Sequence, residues 1–303
     1  MIMRTVLGQG GQAALFILLN AGLSGQQIPL SSQHDDEQDF QRCSSNYQTY
    51  RNLEKERMIE KTFRRTSYYD WNELPEGIKV TNFDDTVQVT MTYKPGREPQ
   101  MVLGPLKSDA PYHLEQFHFH WSNHKVYPAQ LHLIMRSLMH INYTLALDED
   151  HGFAVLAFYF NPTERDNSAY AELTQRIQQV QKPGQSSDML ELLPLQSFVC
   201  DDLENYYTYV DALTNNSLCD KQVVWVYYKK PIEISYYQLD NFRLLSGNNA
   251  NNITYTQALR NLTIYKNVPL PPENATQLEN STTALTPFLF MITLLVAADC
   301  GMP

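Results

Sequence analysis

Two short segments alternate histidine with large apolar residues. Glu115–Trp121 reads Glu-Gln-Phe-His-Phe-His-Trp, and Ala129–Leu133 reads Ala-Gln-Leu-His-Leu. In a β-strand, residues two apart share one face of the sheet. His118 and His120 are therefore predicted to project from one face of a strand, with their aromatic neighbours on the other. His132 is predicted to oppose its leucine neighbours in the same way.

The spacing of the two segments favours a hairpin. Eleven residues separate His120 from His132, and this distance suits two antiparallel strands in which His132 lies opposite or diagonal to His120. Three imidazoles would then converge. Three protein nitrogens and an open fourth position are typical of catalytic zinc, which lowers the pKa of bound water to about 7 and so supplies hydroxide at neutral pH.

Two other interpretations of these histidines are weaker. A His-x-His pair alone commonly marks two polar residues on a wet strand face, but the third histidine on a matching strand argues against coincidence. A cupin-like metal site also begins with His-x-His. That site needs a glutamate a few residues later, and no glutamate lies between Trp121 and His132.

Strand-like patterns recur along the chain. Four segments alternate apolar and polar residues with a period of two, which is typical of half-buried strands. They are Leu114–Trp121, Gln130–Met135, Val87–Tyr93 and Val223–Tyr228. Phe153–Phe160 is continuously apolar, which is typical of a central strand buried on both faces. The chain between its two ends is therefore predicted to be one strand-rich domain. Surface helices are predicted over Ser168–Gln181 and Tyr236–Leu245.

The N-terminal end is predicted to be a secretory signal peptide over residues 1–25. Arg4 precedes an apolar run at residues 13–19, and small residues follow it. A buried N-terminal helix is the alternative, although the glycines at 8, 10 and 11 disfavour it. Residues 26–42 are acidic and polar without any period, and they are predicted to be a mobile lead-in.

The C-terminal end is predicted to be a signal for a glycosylphosphatidylinositol (GPI) anchor. Ala284–Ala298 is apolar over about 15 residues, which is short for a bilayer-spanning helix, and no Lys or Arg follows it. A polar spacer with small residues precedes this run at 273–283, and residues 284–303 would be removed. The protein would then lie on the extracellular face of the plasma membrane, or be secreted. A transmembrane tail is the alternative.

The composition suits an extracellular protein and argues against nucleic-acid binding. The formal net charge is −10, and nothing in the chain resembles a basic stripe. Asn-X-Ser/Thr sequons are frequent, and glycosylation is predicted at Asn142, Asn252 and Asn261. The three cysteines outside the removed tail favour one disulfide and one spare thiol, without indicating which two pair.

The histidine segments resemble the zinc motif of the α-carbonic anhydrase family. The resemblance rests on Phe117–Trp121 and Leu131–Leu133, and it extends to Gly152–Leu156 and Phe242–Leu245. It covers the chain from about Cys43 to Leu270, so a family domain is predicted over residues 43–272. The fold that the resemblance implies is mostly β (α+β), with a large, mainly antiparallel twisted sheet and peripheral helices in a single domain.

The resemblance also implies a reaction and a set of roles. The cofactor would be Zn²⁺, the reaction the reversible hydration of carbon dioxide to bicarbonate, and sulfonamides would bind the metal as inhibitors. Gln116 would brace His118, Gln130 would brace His132, and Thr214 would orient the hydroxide. The implied zinc ligands are His118, His120 and His132. The implied apolar wall of the substrate pocket consists of Val155, Leu213, Val223 and Trp225.

Secreted members of the family imply the disulfide. Cys43 and Cys219 fall near the positions of that bond, and Cys200 would be left over. Closing so long a loop would stabilise the domain by about 5 kcal/mol in the chain-entropy model.

Some residues differ from the family pattern, and these differences predict slow turnover. Asp85 stands where the family has a proton-shuttling histidine, and a carboxylate with a pKa near 4 is a poor shuttle at neutral pH. Gln130 stands where a carboxylate usually braces the third ligand. The segment between His120 and His132 is shorter than usual and lacks the glutamate that accepts a hydrogen bond from the threonine. The alternatives are a catalytically impaired surface protein that acts as a binding module, and a module that keeps the histidines without a metal.

Overall fold

The strands of the protein assemble into one large sheet. The structure is a computed structural model, and it describes residues 58–83, 86–121, 129–212, 221–245 and 262–271. Within these ranges thirteen strands share the sheet. They are β1 (Met58–Lys61), β2 (Ser67–Tyr69), β3 (Gly77–Asn82), β4 (Val87–Thr92), β5 (Gln100–Val102), β6 (Tyr112–His120), β7 (Gln130–Ser137), β8 (Phe153–Thr163), β9 (Ser186–Asp188), β10 (Tyr206–Ala212), β11 (Gln222–Tyr228), β12 (Ile232–Ser235) and β13 (Ile264–Asn267).

The strand order places the histidine strands in the middle of the sheet. The main path runs β1-β13-β10-β11-β8-β7-β6-β4-β3-β9, while β12 pairs with β8, and β5 pairs with β2 and β6. Pairing is antiparallel except between β1 and β13, β11 and β8, and β12 and β8. These observations confirm the predicted mostly β domain with a large, mainly antiparallel sheet.

The predicted strands match observed strands within a few residues. The apolar run Phe153–Phe160 lies within β8, which has paired strands on both sides and is buried along most of its length. This strand is the centre of the sheet, as its uninterrupted apolar sequence predicts. It separates the histidine strand β7 from β11, so that both can contribute side chains to one surface.

Both predicted helices are present and are slightly shorter than predicted. A 3₁₀ turn over Ser168–Tyr170 leads into α2, and a capping box between Ser235 and Gln238 begins α3. A further short helix, α1, lies after β7. Among the described residues, none of the helices is both long and apolar enough to cross a membrane. The helices are α1 (Tyr143–Leu147), α2 (Ala171–Gln179) and α3 (Tyr236–Arg243).

The sheet is buried on both faces, and the larger core lies behind the histidine strand. Phe117, Phe119 and Trp121 belong to this core, and the ring of Phe119 lies 4.8 Å from that of Phe242 on α3. The second, smaller core lies on the opposite face and contains Trp225. Aromatic packing beneath β6 therefore holds the strand that carries two of the three histidines.

Candidate metal centre

A β-bulge in β6 decides which side chains face the candidate site. Across β6 and β7, Leu114 lies opposite Met135, whereas Gln116 lies opposite Ile134, so Glu115 is the additional residue. Side chains alternate between faces along a strand, and one inserted residue exchanges the two faces beyond it.

The bulge turns the histidines away from the larger core. Leu114 contacts that core before the bulge, and Phe117 and Phe119 contact it afterwards. His118 and His120 consequently project from the opposite face, as their alternation predicts. The predicted uninterrupted alternation from Leu114 to Trp121 is wrong at one point, because it shifts by one residue at Glu115.

Glu115 is held in place by two basic side chains. Arg136 Nε donates a hydrogen bond to Glu115 Oε1, and His113 Nε2 lies 2.9 Å from the same oxygen. Burial alone would raise the pKa of Glu115, but the interactions with His113 and Arg136 outweigh it and hold that pKa below its ordinary value. The bulge is therefore stabilised by an ionised carboxylate at neutral pH.

The hairpin register brings the three histidines together. His118 lies directly opposite His132, and His120 lies opposite Gln130. His132 is thus diagonal to His120, which is one of the two predicted arrangements. The ring centroids are 5.0 Å apart for His118 and His120, 5.5 Å for His118 and His132, and 4.5 Å for His120 and His132.

Two glutamines determine where two of the imidazole protons lie. His118 Nδ1 is 3.1 Å from Gln116 Oε1, and His132 Nε2 is 2.8 Å from Gln130 Oε1. An amide oxygen only accepts hydrogen bonds, so each of these ring nitrogens carries the proton. The remaining nitrogens, His118 Nε2 and His132 Nδ1, therefore present lone pairs. Both predicted braces, Gln116 and Gln130, make the contact expected of them.

The lone pairs converge in a way that fits a metal ion. One nitrogen from each histidine lies within 4.8 Å of the others, and His118 Nε2 is 3.1 Å from His120 Nε2. Tetrahedral zinc with bonds of about 2.0–2.1 Å needs ligand nitrogens about 3.4 Å apart. His132 Nδ1 is buried and makes no hydrogen bond within the described part of the chain. A buried acceptor without a partner is costly, and a cation bound there would satisfy it.

The charge state of the cluster also suits a cation. Burial, reinforced by the neighbouring imidazoles, lowers the pKa of His118 and His132 well below the usual value near 6.5. Both rings are therefore neutral at pH 7, and metal binding there displaces no proton from either of them.

An apolar row lies next to His132 on the same face. Ile134 on β7 pairs with Val155 on β8, and Val155 pairs in turn with Trp225 on β11. These side chains and Val223 are buried in the smaller core, and the Trp225 ring lies 5.6 Å from that of His132. Val155, Val223 and Trp225, the predicted wall residues within the described ranges, thus lie in one core, and Trp225 contacts His132.

The structure adds two residues that the sequence analysis missed. Ile134 follows His132 by two positions, so the period of two that identified the histidines also places it on their face. Gln88 on β4 lies opposite His118 and is buried. No motif marks Gln88, because its place depends on the pairing of β4 with β6.

Several predicted residues lie outside the described ranges. Two further predicted residues lie within the described ranges: Asn142 is exposed at the start of α1, and Cys200 is a buried free thiol. Because Cys43 and Cys219 lie outside these ranges, the disulfide stays a prediction, and so do the signal peptide and the anchor. Outside the described ranges are Asp85, Leu213, Thr214, Cys43, Cys219, Asn252 and Asn261.

Comparisons with known proteins agree with this geometry. A family model described as eukaryotic-type carbonic anhydrase matches residues 31–268. The chain is 32% identical over 190 residues to carbonic anhydrase 5A, mitochondrial, of Rattus norvegicus, covering 55% of this chain and 60% of that protein. It is 30% identical over 175 residues to carbonic anhydrase 3 of Bos taurus, covering 54% and 61%. It is 28% identical over 184 residues to carbonic anhydrase-related protein of Homo sapiens, covering 55% and 60%. The chain thus spans about three fifths of the length of these relatives.

Proposed function

The chain belongs to the eukaryotic-type carbonic anhydrase family, and from that premise we propose that it catalyses the zinc-dependent, reversible hydration of carbon dioxide to bicarbonate at the cell surface, at a reduced rate. One observation carries the proposal. The three histidines present converging ring nitrogens beside a buried apolar row, and His132 Nδ1 has no hydrogen-bond partner among the described residues.

The histidines would hold the metal through defined nitrogens. Gln116 keeps the proton of His118 on Nδ1, and Gln130 keeps that of His132 on Nε2, so the opposite nitrogen of each ring is available as a ligand. Bound zinc would lower the pKa of a coordinated water to about 7 and so supply a nucleophile at neutral pH. Sulfonamides would bind such a site as anions.

The apolar row would hold carbon dioxide. Ile134, Val155 and Trp225 form a buried surface beside His132. Carbon dioxide loses few hydrogen bonds when it leaves water for such a surface, whereas water and other polar molecules would lose theirs. The row would therefore hold the substrate by excluding water rather than by directional contacts.

The remaining steps depend on two residues outside the described ranges. We propose that Thr214 orients the nucleophile and that Asp85 stands on the route by which the proton leaves. A carboxylate with a pKa near 4 accepts this proton poorly at neutral pH, so exchange with buffer would limit turnover. This weakness, together with the neutral brace Gln130, supports a reduced rate.

A binding module at the cell surface is the second candidate. The loss of a shuttling histidine and of a carboxylate brace would cost a binding protein nothing. The similarity to proteins named carbonic anhydrase-related protein also favours this candidate. Such a protein would keep its surface function after His118→Ala. The enzyme would instead lose activity when any one of the three histidines is replaced.

We also propose that the protein reaches the cell surface through its N-terminal signal and stays there by a lipid anchor. Release of the protein from intact cells by a phosphatidylinositol-specific phospholipase tests the anchor. Resistance to that enzyme would favour a transmembrane tail.

Stopped-flow hydration of carbon dioxide, with zinc content measured on the same sample, tests the enzyme. We expect hydration above the background rate and one zinc per chain, with both lost in His132→Ala. His140→Ala serves as the matched control, since this histidine lies outside the ligand cluster. A zinc-loaded protein that neither hydrates carbon dioxide nor binds a sulfonamide would leave the binding module as the better proposal.

A further inference from the structure

An apolar patch is exposed on the segment that follows β7. Its four large side chains are 43% (Leu138), 68% (Met139), 90% (Ile141) and 49% (Leu145) exposed. Single exposed apolar residues are common, but four of them between residues 138 and 145 mark a segment whose apolar surface something is expected to cover. We refer to Leu138, Met139, Ile141 and Leu145 as the apolar patch.

Asn142 lies within four positions in sequence of each member of this patch. It is exposed, and its Oδ1 accepts a hydrogen bond from the backbone N–H of Leu145 at 2.9 Å, which caps α1. The side-chain oxygen is thereby committed, while no contact within the described residues engages Nδ2. Because the cap uses only Oδ1 and the residue is exposed, Nδ2 is the side-chain atom left for modification.

The two residues after Asn142 complete a sequon and anchor it. Tyr143 is buried, and its ring lies 5.0 Å from that of Phe153 on β8. Thr144 is exposed. The buried tyrosine therefore fixes α1 against the sheet, and Asn142 and Thr144 remain on the outside.

We propose that Asn142 carries an N-linked glycan and that the first sugars of this glycan cover the apolar patch. The transfer forms a bond between C1 of the first sugar and Asn142 Nδ2. It breaks the bond between that carbon and the diphosphate of a lipid-linked oligosaccharide donor, and the amide proton leaves with the lipid diphosphate. The asparagine keeps Oδ1 after this reaction, so the cap of α1 survives modification.

The glycan accounts both for the exposed apolar patch and for the exposed Asn142 within the same segment. The apolar faces of pyranose rings can lie on Ile141 and Met139, and their hydroxyl groups keep the covered surface soluble. The inference rests on the secretory route of the proposed function and does not depend on zinc or on hydration activity.

The full chain expressed in eukaryotic secretory cells provides the test. Peptide mass spectrometry after enzymatic deglycosylation in ¹⁸O water reports occupancy of each sequon. Binding of an apolar fluorescent dye reports exposure of the patch. Asn142→Asp and Thr144→Ala both remove the sequon and keep a capping side chain, whereas Asn261→Asp removes a different sequon with the same change of charge.

We expect Asn142 to be glycosylated, and dye fluorescence to rise in Asn142→Asp and Thr144→Ala but not in Asn261→Asp. Adding Ile141→Ser to Asn142→Asp should reverse that rise. An unmodified Asn142 would overturn the inference, whether the other sequons are occupied or not. So would a glycosylated Asn142 whose removal leaves dye binding unchanged. Hydration activity, measured on the same samples, separates either failure from a failure of the enzyme.

Discussion

The side-chain oxygen of Gln130 lies 2.8 Å from His132 Nε2, and this contact makes His132 Nδ1 the nitrogen that faces the other two histidines. The contact determines the tautomer without adding charge, since an amide is neutral. A carboxylate at the same place would make a stronger, charge-assisted hydrogen bond and would make the imidazole more electron-rich. The affinity of this site for zinc is therefore expected to be below what its ligands could achieve.

Gln130→Glu should raise zinc affinity by roughly 10- to 100-fold, which is the usual size of effects from partners of metal ligands. Competition with a chromophoric chelator at neutral pH measures this affinity directly. Gln130→Leu removes the acceptor without adding charge, and it should bind zinc more weakly than the native protein. If the glutamate variant binds no better than the native chain, Gln130 does not limit the site.

Glu115→Gln should destabilise the fold by about 3 kcal/mol at neutral pH, because it leaves the buried guanidinium of Arg136 without its charged partner. The folded pKa of Glu115 lies below its ordinary value near 4.5, so the contribution of its charge is present above that value. It is lost as the pH falls through the folded pKa. Urea unfolding across this pH range should show the native protein and the variant converging in acid.

Glu76→Gln is the matched control for this measurement, because Glu76 is exposed. It should change the free energy of unfolding little at any pH. A constant difference between Glu115→Gln and the native protein down to strong acid would contradict the assignment of the effect to the carboxylate.

The sequence alone predicted the elements that depend on local period. The alternation around His118 and His132 predicts two strands and their faces, because a strand's period of two is set by its own backbone. It left open whether His132 lies opposite or diagonal to His120. The two glutamines were predicted from the family resemblance, and they are also two residues from the histidines that they contact. Site residues on the same strand as a ligand are thus accessible to this reasoning.

What could not be predicted depends on pairing between distant strands. Gln88 faces His118 only because β4 pairs with β6, and no local pattern encodes that register. The bulge at Glu115 is likewise visible in sequence only as a single shift in alternation, between Leu114 and Phe117. The hydrogen bond that holds the bulged residue comes from Arg136 on the neighbouring strand, which no local pattern identifies.

Val155→Phe should lower kcat/KM for hydration by at least about tenfold while zinc content stays unchanged. Val155 lies between Ile134 and Trp225 in the apolar row, and a larger ring there would crowd the surface proposed to hold the substrate. Overpacking a buried site typically costs 1–3 kcal/mol, so stability must be measured as well. Val226→Phe overpacks the other face of β11 and controls for that loss. Equal rates in the two variants would show that the row does not hold the substrate.

Asp85→His should raise hydration in weak buffer by roughly 10- to 100-fold, because an imidazole with a pKa near 6.5 accepts and releases protons at neutral pH far better than a carboxylate. The gain should vanish in concentrated imidazole buffer, which removes the proton without help from the protein. Stopped-flow rates over a series of buffer concentrations separate these regimes. Asp85→Asn, which carries no titratable group, should behave like the native chain, since neither side chain shuttles effectively. If Asp85→His gains nothing in weak buffer, residue 85 is not on the route by which protons leave the site.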